Sequence, residues 1–244
     1  MPKTRLDVLL VARGLVKSRE EAQRVILAGE VRVGDRPAAK PSENVALDAA
    51  LAVGKRPRFV SRGGEKLDGA LRALGVDFSG RVALDVGAST GGFTDCLLQH
   101  GARRVYAVDV GYGQLDWRLR KDPRVVVIER QNIRALSPSS IPEPVDVAVA
   151  DVSFISLRLV LPKVRELLGP AATVIALVKP QFEVGRGNVG RGGVVRDAAL
   201  HREAIDGVRQ AARGLGFVEC GFVESPLRGP RGNREFFLYW STDG

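Results

Sequence analysis

The stretch LDVGASTGGFTD, residues 84–95, joins an apolar run to a helical pattern through a glycine-rich turn. The run Val82–Val86 predicts a buried strand, and the pattern over Gly92–His100 predicts a helix. Glycine permits a sharp turn and lets the backbone come close to a ligand. We therefore expect a strand, a ligand-binding loop and a helix in immediate succession.

Short Val- and Ala-rich runs alternate with helical patterns beyond this stretch. The predicted strands are Arg104–Val110, Val125–Glu129, Val145–Val152, Thr173–Val178, Phe217–Val223 and Glu235–Trp240. The predicted helices are Leu115–Arg120, Leu157–Leu168 and Ala198–Leu215. Such alternation indicates an α/β domain whose mostly parallel sheet is covered on both faces. Ligands of such sheets bind beyond the carboxyl ends of the strands, at the switch point.

The glycine-rich loop favours a cationic cofactor over a dinucleotide. A dinucleotide fingerprint needs G-x-G-x-x-G, which Gly87-Ala-Ser89 breaks. Asp85 precedes the loop, and its carboxylate disfavours a pyrophosphate but suits the sulfonium and ammonium groups of S-adenosylmethionine. Asp109 ends the next strand, 18 residues after Gly91, where an acid can accept both ribose hydroxyls of an adenosine. NAD and a purely structural turn remain the alternatives on these residues.

Four polar residues stand where packing does not explain them. Asp151 and Lys179 each end an apolar strand, at the predicted ligand-binding rim. Lys66 lies near the start of a helix, and Glu235 begins the last strand. A single Lys or Asp at a strand end is usually a surface residue, but the pair beside a cofactor loop indicates an active site.

Basic residues are concentrated at the start of the chain. The 244 residues carry a net charge of +9, and residues 1–60 hold 12 Lys and Arg against 7 Asp and Glu. This excess indicates a polyanionic partner, either nucleic acid or an acidic membrane face. We expect a module of two short helices and a small sheet over residues 1–54, a basic linker over 55–60 and the α/β domain over 61–244.

Cysteine and histidine are too sparse to predict a metal centre. Cys96 and Cys220 are isolated, as are His100 and His201, so we expect neither disulfides nor bound metal. No apolar run approaches 18 residues and the first residues lack a signal-peptide core. We expect a cytoplasmic protein without a membrane span; the oligomeric state is not predicted.

The run TRLDVLLVARGLVKSREEAQRVILAGEVRVGDRPAAKPSENV, residues 4–45, resembles the small α+β RNA-binding fold of the S4 type. The order of its motifs is specific, whereas Gly34-Asp35 departs from the commoner Asp-Gly or Asn-Gly. That fold binds structured RNA through the basic face of its helices, which implies phosphate contacts. The residues so implicated are Arg5, Arg13, Lys17, Arg19 and Arg24.

Lys66, Asp151, Lys179 and Glu235 resemble the Lys-Asp-Lys-Glu tetrad of FtsJ-like ribose 2′-O-methyltransferases. Longer phrases, among them VSRGGEKLDGAL, VADVSFISL, LVKPQFEVGRGNVGRGGVVRD and SPLRGPRGNREFFLY, resemble the TlyA family of rRNA (cytidine-2′-O)-methyltransferases, also labelled haemolysins. The resemblance implies a Rossmann-like methyltransferase fold with a mostly parallel sheet, preceded by the S4-type domain. It also implies S-adenosylmethionine as cofactor and ribosomal RNA as partner.

The resemblance assigns roles to individual residues. The catalytic set is Lys66, Asp151, Lys179 and Glu235, with Lys179 expected as the base, Asp151 holding it, Lys66 orienting the hydroxyl and Glu235 anchoring Lys66. The cofactor set is Asp85, Gly87, Ser89, Gly91, Gly92, Asp109, Gln114 and Asn132. Phe154, beside Asp151, is expected either to wall the target nucleotide or to belong to the core.

Two loops rich in Gly and Arg are expected to contact RNA. They span residues 184–193 and 228–234, and Gly supplies mobility while Arg binds phosphate. The expected contacts in these loops are Arg186, Arg191 and Arg231, and Arg62 is expected to contact RNA as well. The alternatives are plain surface loops.

Three other functions compete with methyl transfer. One is a non-catalytic RNA-binding or ribosome-assembly protein, which the intact tetrad disfavours. A pore-forming haemolysin lacks a supporting amphipathic segment, and a pseudouridine synthase needs no methyl-donor loop. The target is expected in 23S rRNA, with 16S rRNA and the particular nucleotide left open.

Overall fold

A computed structural model of the chain describes residues 2–54 and 57–242. It divides into two compact units, Met1–Arg58 and Phe59–Gly244. The basic linker expected over residues 55–60 falls partly on Lys55 and Arg56, which lie outside the described residues. No helix within the described ranges is both long enough and apolar enough to cross a membrane.

The first unit is a small α+β fold with two helices and five short strands. The elements are β1 (Lys3–Arg5), α1 (Leu6–Ala12), α2 (Arg19–Leu27), β2 (Val31–Val33), β3 (Arg36–Pro37), β4 (Asn44–Ala46) and β5 (Leu51–Val53). The loose alternation over residues 44–53 predicts a pair of strands, but the structure pairs β4 with β1 and β5 with β2. The sequence did not predict β1, the partner of β4, because β1 is only three residues long and has no apolar pattern.

The two helices of this unit are joined through a buried carboxylate. Asp7, on α1, accepts hydrogen bonds from Arg5 and Arg19, with O···N distances of 2.8–3.0 Å. The Arg5 guanidinium holds the pKa of Asp7 well below its usual range. Ser18 caps α2, since its hydroxyl accepts the Glu21 amide hydrogen at 3.1 Å.

The second unit contains a seven-stranded sheet. Its elements are α3 (Arg62–Leu74), β6 (Val82–Val86), α4 (Gly92–Gln99), β7 (Arg104–Val108), α5 (Trp117–Arg120), β8 (Val125–Ile128), β9 (Val145–Ala150), α6 (Leu161–Leu167), β10 (Leu168–Val178), α7 (Pro180–Glu183), α8 (Ala198–Gly214), β11 (Val218–Glu224) and β12 (Phe236–Ser241). The strand order is β11-β12-β10-β9-β6-β7-β8, with β12 antiparallel to both β11 and β10, and with β10, β9, β6, β7 and β8 paired in parallel. This confirms the predicted mostly parallel α/β sheet, with its switch point between β6 and β9.

Apolar side chains cover both faces of the sheet. Leu67 and Leu71 of α3 pack with α4 and Val147 on one face. Val164 of α6 and Val208 of α8 belong to the cluster on the other face. The strands therefore read as continuous apolar runs, because both of their faces are buried.

Two predicted element boundaries were wrong. The helix expected over Leu157–Leu168 is a short 3₁₀ turn, Leu157–Leu159, followed by α6. Pro162 occupies the first turn of α6, where its missing amide hydrogen costs nothing, so the α-helix starts there. Leu168 opens β10, which is longer than expected because it contains an irregularity between Leu168 and Thr173.

Candidate active site

The glycine-rich loop leaves the carboxyl end of β6 and needs glycine at its first position. Gly87 has φ +86°, in the left-handed region, and a Cβ there would lie 2.7 Å from the Asp151 carbonyl oxygen. The loop therefore runs directly against the chain that leaves β9. Ser89 also has positive φ, at 48°, and its amide donates to Asp109 at 2.8 Å.

A second close approach brings helix α3 beside the loop. A Cβ on Gly92, the first residue of α4, would meet the Ser61 hydroxyl and lie 2.8 Å from the Gly64 backbone nitrogen. Only glycine allows this spacing between the starts of α3 and α4. As a result Lys66, one turn into α3, faces the same space as the loop.

One cavity of about 560 Å³ opens at the switch point of the sheet. Of the predicted cofactor residues, it is lined by Gly87, Ser89, Asp109, Gln114 and Asn132. The Asp109 carboxylate is fixed by the amides of Ser89 and Gly111, at 2.8 and 2.6 Å. Each carboxylate oxygen retains a further lone pair for a ligand hydroxyl.

Asp85 and Gly91 do not reach this cavity, which corrects their predicted direct contact with a cofactor. Asp85 lies within β6, fully buried, and accepts the Thr94 hydroxyl hydrogen at 2.6 Å. Burial raises its pKa to about 7. Gly91 is the residue before α4, has φ +94° and faces Leu115 and Leu119, where a side chain would clash. Both residues therefore support the loop on its side away from the cavity.

A second, smaller cavity of about 250 Å³ adjoins the first and contains both tetrad lysines. Gly87, Ser89 and Asp151 line both cavities. Gly92 lines the smaller one. The two spaces therefore meet where the glycine-rich loop passes the end of β9.

The tetrad forms two nearly buried ion pairs. The Lys66 ammonium lies 2.6 Å from Glu235 Oε2, and the Lys179 ammonium lies 2.6 Å from Asp151 Oδ1. Glu235 is 1% exposed and lies behind Lys66 rather than on the cavity wall. It precedes β12 by one residue instead of beginning it. Both lysines are therefore held by a carboxylate while their ammonium groups face one cavity.

Phe154 lies outside the core, which corrects one of its two predicted placements. Its ring is 91% exposed, and its φ of 64° is unusual for an aromatic residue. Its centroid lies 5.2 Å from that of Phe182, and Lys179 lies 5.9 Å from the Phe182 ring. The exposed ring therefore flanks the larger cavity beside the tetrad.

The predicted RNA-contacting residues of the first unit are all partly or fully exposed. Arg5 and Arg19 share Asp7, so their guanidinium groups are oriented by a buried anion. Arg13 donates to the Leu47 and Ala49 carbonyls. Lys17 is exposed, and Arg24 lies 3.8 Å from Glu21.

Of the predicted RNA-contacting residues of the second unit, Arg62 is the first residue of α3, and Arg191 and Arg231 belong to the two Gly/Arg loops. Arg62 lines the smaller cavity and donates to the Arg228 carbonyl at 2.9 Å. Arg231 donates to the Gly192 carbonyl at 2.8 Å, which joins the two Gly/Arg loops. Arg191 is exposed, whereas the Arg186 side chain lies outside what the structure describes.

The sequence did not reveal several members of the site. The Ser153 hydroxyl accepts from Lys179 at 2.9 Å, and Ser61 and Arg228 line the smaller cavity. Ser153 follows Asp151 by two residues in the motif VADVSF, and that proximity was the available signal. Ser61 and Arg228 come from distant segments that only the fold brings together.

The structure also brings together Asp68, Cys96 and His100, which the sequence left apart. Their donor atoms lie within 4.8 Å of one another. His100 Nε2 lies 2.8 Å from Asp68 Oδ1, and Arg72 lies 2.8 Å from Asp68 Oδ2. Because a cation already neutralises Asp68, we assign no metal to this cluster.

Comparison with known proteins agrees with this geometry. The sequence model of the FtsJ-like methyltransferases matches residues 59–242, and that of the S4 domain matches residues 4–50. The 16S/23S rRNA (cytidine-2′-O)-methyltransferase TlyA of Mycobacterium tuberculosis is 50% identical over 98% of this chain and 90% of its own length. Hemolysin A of Brachyspira hyodysenteriae is 38% identical over 97% of this chain and 99% of its own. The solved structure of a hemolysin-named protein from Streptococcus thermophilus has a TM-score of 0.77 and 43% identity, covering 100% of this chain and 90% of that one.

Proposed function

This chain belongs to the TlyA proteins among the FtsJ-like methyltransferases, and on that premise we propose that it methylates the ribose 2′-hydroxyl of a cytidine in ribosomal RNA. The observation that carries the proposal is the pair of buried Lys–carboxylate ion pairs facing one cavity. That cavity adjoins a second one with the donor set of a nucleoside site.

The larger cavity fits S-adenosylmethionine as the methyl donor. Asp109 offers carboxylate oxygens to ribose hydroxyls, while Gln114 and Asn132 offer amide groups beside them. Gly87 and Ser89 are small residues that line the cavity and leave space for a ligand beside the loop. Asp151 supplies a negative charge where the two cavities meet. A bound S-adenosylmethionine would supply an electrophilic methyl carbon on a sulfonium. These residues would hold it with the methyl group toward the smaller cavity.

In this proposal Lys179 takes the proton from the ribose hydroxyl. The ribose 2′-oxygen would receive the methyl group that bound S-adenosylmethionine supplies from its sulfonium, and the hydroxyl proton would pass to a neutral Lys179 amine. Asp151 and Ser153 fix the Nζ atom by contacts of 2.6 and 2.9 Å. A lysine acts as a base only in its neutral form.

Lys66 has a complementary task in this proposal. Its ammonium, anchored 2.6 Å from Glu235, would donate to the 2′-oxygen and stabilise the negative charge that develops there. Glu235 is buried behind Lys66, so it would act through the lysine and not on the substrate.

The target nucleotide would enter beside Phe154. A nucleotide in folded RNA must leave its stack to reach a buried cavity. The exposed Phe154 ring offers a flat surface of the kind on which extruded bases stack. Arg62, Arg191 and Arg231 would bind the flanking phosphates.

The first unit would anchor the surrounding RNA. It matches the S4 domain and carries Arg5, Arg13, Lys17, Arg19 and Arg24 on its surface. Because ribosomal subunits occur in the cytoplasm, we propose a cytoplasmic location for the protein on the basis of this substrate.

Methylation of purified ribosomal subunits tests the proposal. The protein is incubated with labelled S-adenosylmethionine and with each subunit, and the RNA is then digested to nucleosides. We expect the label in 2′-O-methylcytidine of the large subunit, with the small subunit as a second substrate. Label only on a base, or none in either subunit while the cofactor binds, would contradict the proposal. The second result would favour a non-catalytic RNA-binding protein.

A further inference from the structure

Glu183, at the end of α7, is a buried carboxylate that the proposed chemistry leaves unused. Its side chain is 2% exposed. It accepts the Ser156 hydroxyl hydrogen at 2.5 Å and the Leu157 amide hydrogen at 2.8 Å. Arg158 Nε lies 3.5 Å from Glu183 Oε2, and its Nη2 donates to the Glu183 carbonyl at 3.0 Å. Glu183 therefore binds three consecutive residues of the loop that follows β9.

The same loop carries the groups that hold Lys179. Asp151 and Ser153 contact Lys179, the first residue of the segment 179–183. Glu183 is the last residue of that segment. Residues 179–183 therefore contact the loop at two points, through Lys179 at one end and through Glu183 at the other. Between them Phe154 stands against Phe182, with its backbone in the left-handed region.

Burying the Glu183 carboxylate costs free energy unless its hydrogen bonds are formed. Desolvation raises the pKa of Glu183, and the hydrogen bonds from Ser156 and Leu157 oppose that rise. An unpaired carboxylate in this position would destabilise the fold. Because its side-chain hydrogen bonds among the described residues go to Ser156 and Leu157, this buried carboxylate is suited to fixing that loop.

We propose that Glu183 is a positioning residue for methyl transfer, which fixes the loop at residues 153–157 so that Asp151 and Ser153 meet Lys179. This inference rests on the proposed function, because it assigns Glu183 an effect on that reaction. Glu183 touches neither cavity and acts through the loop.

Substitution of Glu183 tests the inference with two readouts. Glu183→Ala should lower kcat by about 30-fold or more, whereas the affinity for S-adenosylmethionine changes by about threefold at most. Asp109, Gln114 and Asn132 lie outside the loop and retain the cofactor contacts. Glu183→Gln should recover part of the rate, since an amide can still accept the Leu157 hydrogen. Ser156→Ala, which removes one bond, should fall between wild type and Glu183→Ala.

The second readout is amide hydrogen exchange in the loop. Peptides covering residues 152–158 should exchange faster in Glu183→Ala, while peptides of β9 stay protected. The matched control is Glu143→Gln, a partly buried carboxylate bonded by Arg104 and Tyr106 near the opposite end of β7. It should leave kcat and loop exchange unchanged.

The outcomes separate this inference from the proposed function. An unchanged kcat in Glu183→Ala, unchanged loop exchange, or equal losses of kcat and cofactor affinity in all variants would overturn the positioning role. A wild-type protein that transfers no methyl group to ribosomal RNA would overturn the proposed function instead.

Discussion

At the scale of residues, the polar side chains of the site were easier to predict than their surroundings. Asp151 and Lys179 stand out because each places a charge at the end of an apolar strand, beside a glycine-rich loop. Ser153 was missed, since a serine in a loop is ordinary until the fold shows Lys179 donating to it. Asp85 was misplaced because the sequence shows that an acid precedes the loop but not which way it points.

The buried Asp85 makes stability depend on pH. Its pKa is about 7 in the folded protein, against about 3.9 for an unfolded Asp. The folded state therefore binds the proton more tightly, so stability falls as the pH rises from about 4 to above 7. Over that window the loss is about 4 kcal/mol for this group. Asp85→Asn should remove this slope, which urea unfolding of both proteins at several pH values measures. If the free energy of unfolding changed with pH in the same way in both proteins, this prediction would be refuted.

At the scale of elements, the sequence predicted the strands well and their partners less well. The apolar runs of β6, β7 and β9 are unmistakable because both faces of each strand are buried. β1 is too short to carry a pattern, so the pairing of β4 was not predictable. The contact between α3 and α4 depends on glycines whose necessity only the three-dimensional approach reveals.

Substitution of Gly92 tests whether the approach of α3 to α4 places Lys66. In Gly92→Ala the new methyl group meets Ser61 and the Gly64 backbone, so the helix starts must separate. We expect a loss of stability of about 1–3 kcal/mol and a larger than tenfold loss of kcat. Thermal unfolding and methyl-transfer rates measure both. Gly214→Ala, in an exposed position with open space around it, is the control and should cost nothing. Equal rates in the two variants would contradict the placement.

At the scale of the whole molecule, the chain joins two units that each bury their own core. Leu6, Leu10 and Ile26 belong to the core of the first unit, which is separate from the clusters on the two faces of the sheet. The excess of basic residues over residues 1–60 predicted a polyanionic partner, and the resemblance of residues 4–45 to the S4 fold specified RNA. The sequence does not encode which ribosomal nucleotide is bound, since that depends on the shape of the RNA.

Deletion of residues 1–54 tests whether the first unit anchors the RNA while the second unit transfers the methyl group. The remaining chain keeps Phe59, which is buried in the core of the second unit, and both cavities. We expect unchanged affinity for S-adenosylmethionine and a loss of methylation of ribosomal subunits of about 100-fold or more, because the anchoring contacts are gone. Calorimetry and methyl incorporation measure the two quantities. Full methylation by the truncated chain would show that the first unit is dispensable.

The central claim is that Lys179 removes the ribose proton, and single-turnover methyl transfer by Lys179→Ala tests it most directly. The variant is saturated with labelled S-adenosylmethionine, its cofactor affinity is measured, and transfer to the ribosomal subunit that the wild type methylates is followed in one turnover. Lys163→Ala, which removes a lysine of α6 paired with Glu166, serves as the control. We predict cofactor affinity within about threefold of wild type, a transfer rate lowered by about 10²–10⁴-fold, and an unchanged control. Near-normal transfer by Lys179→Ala with bound cofactor would contradict the account.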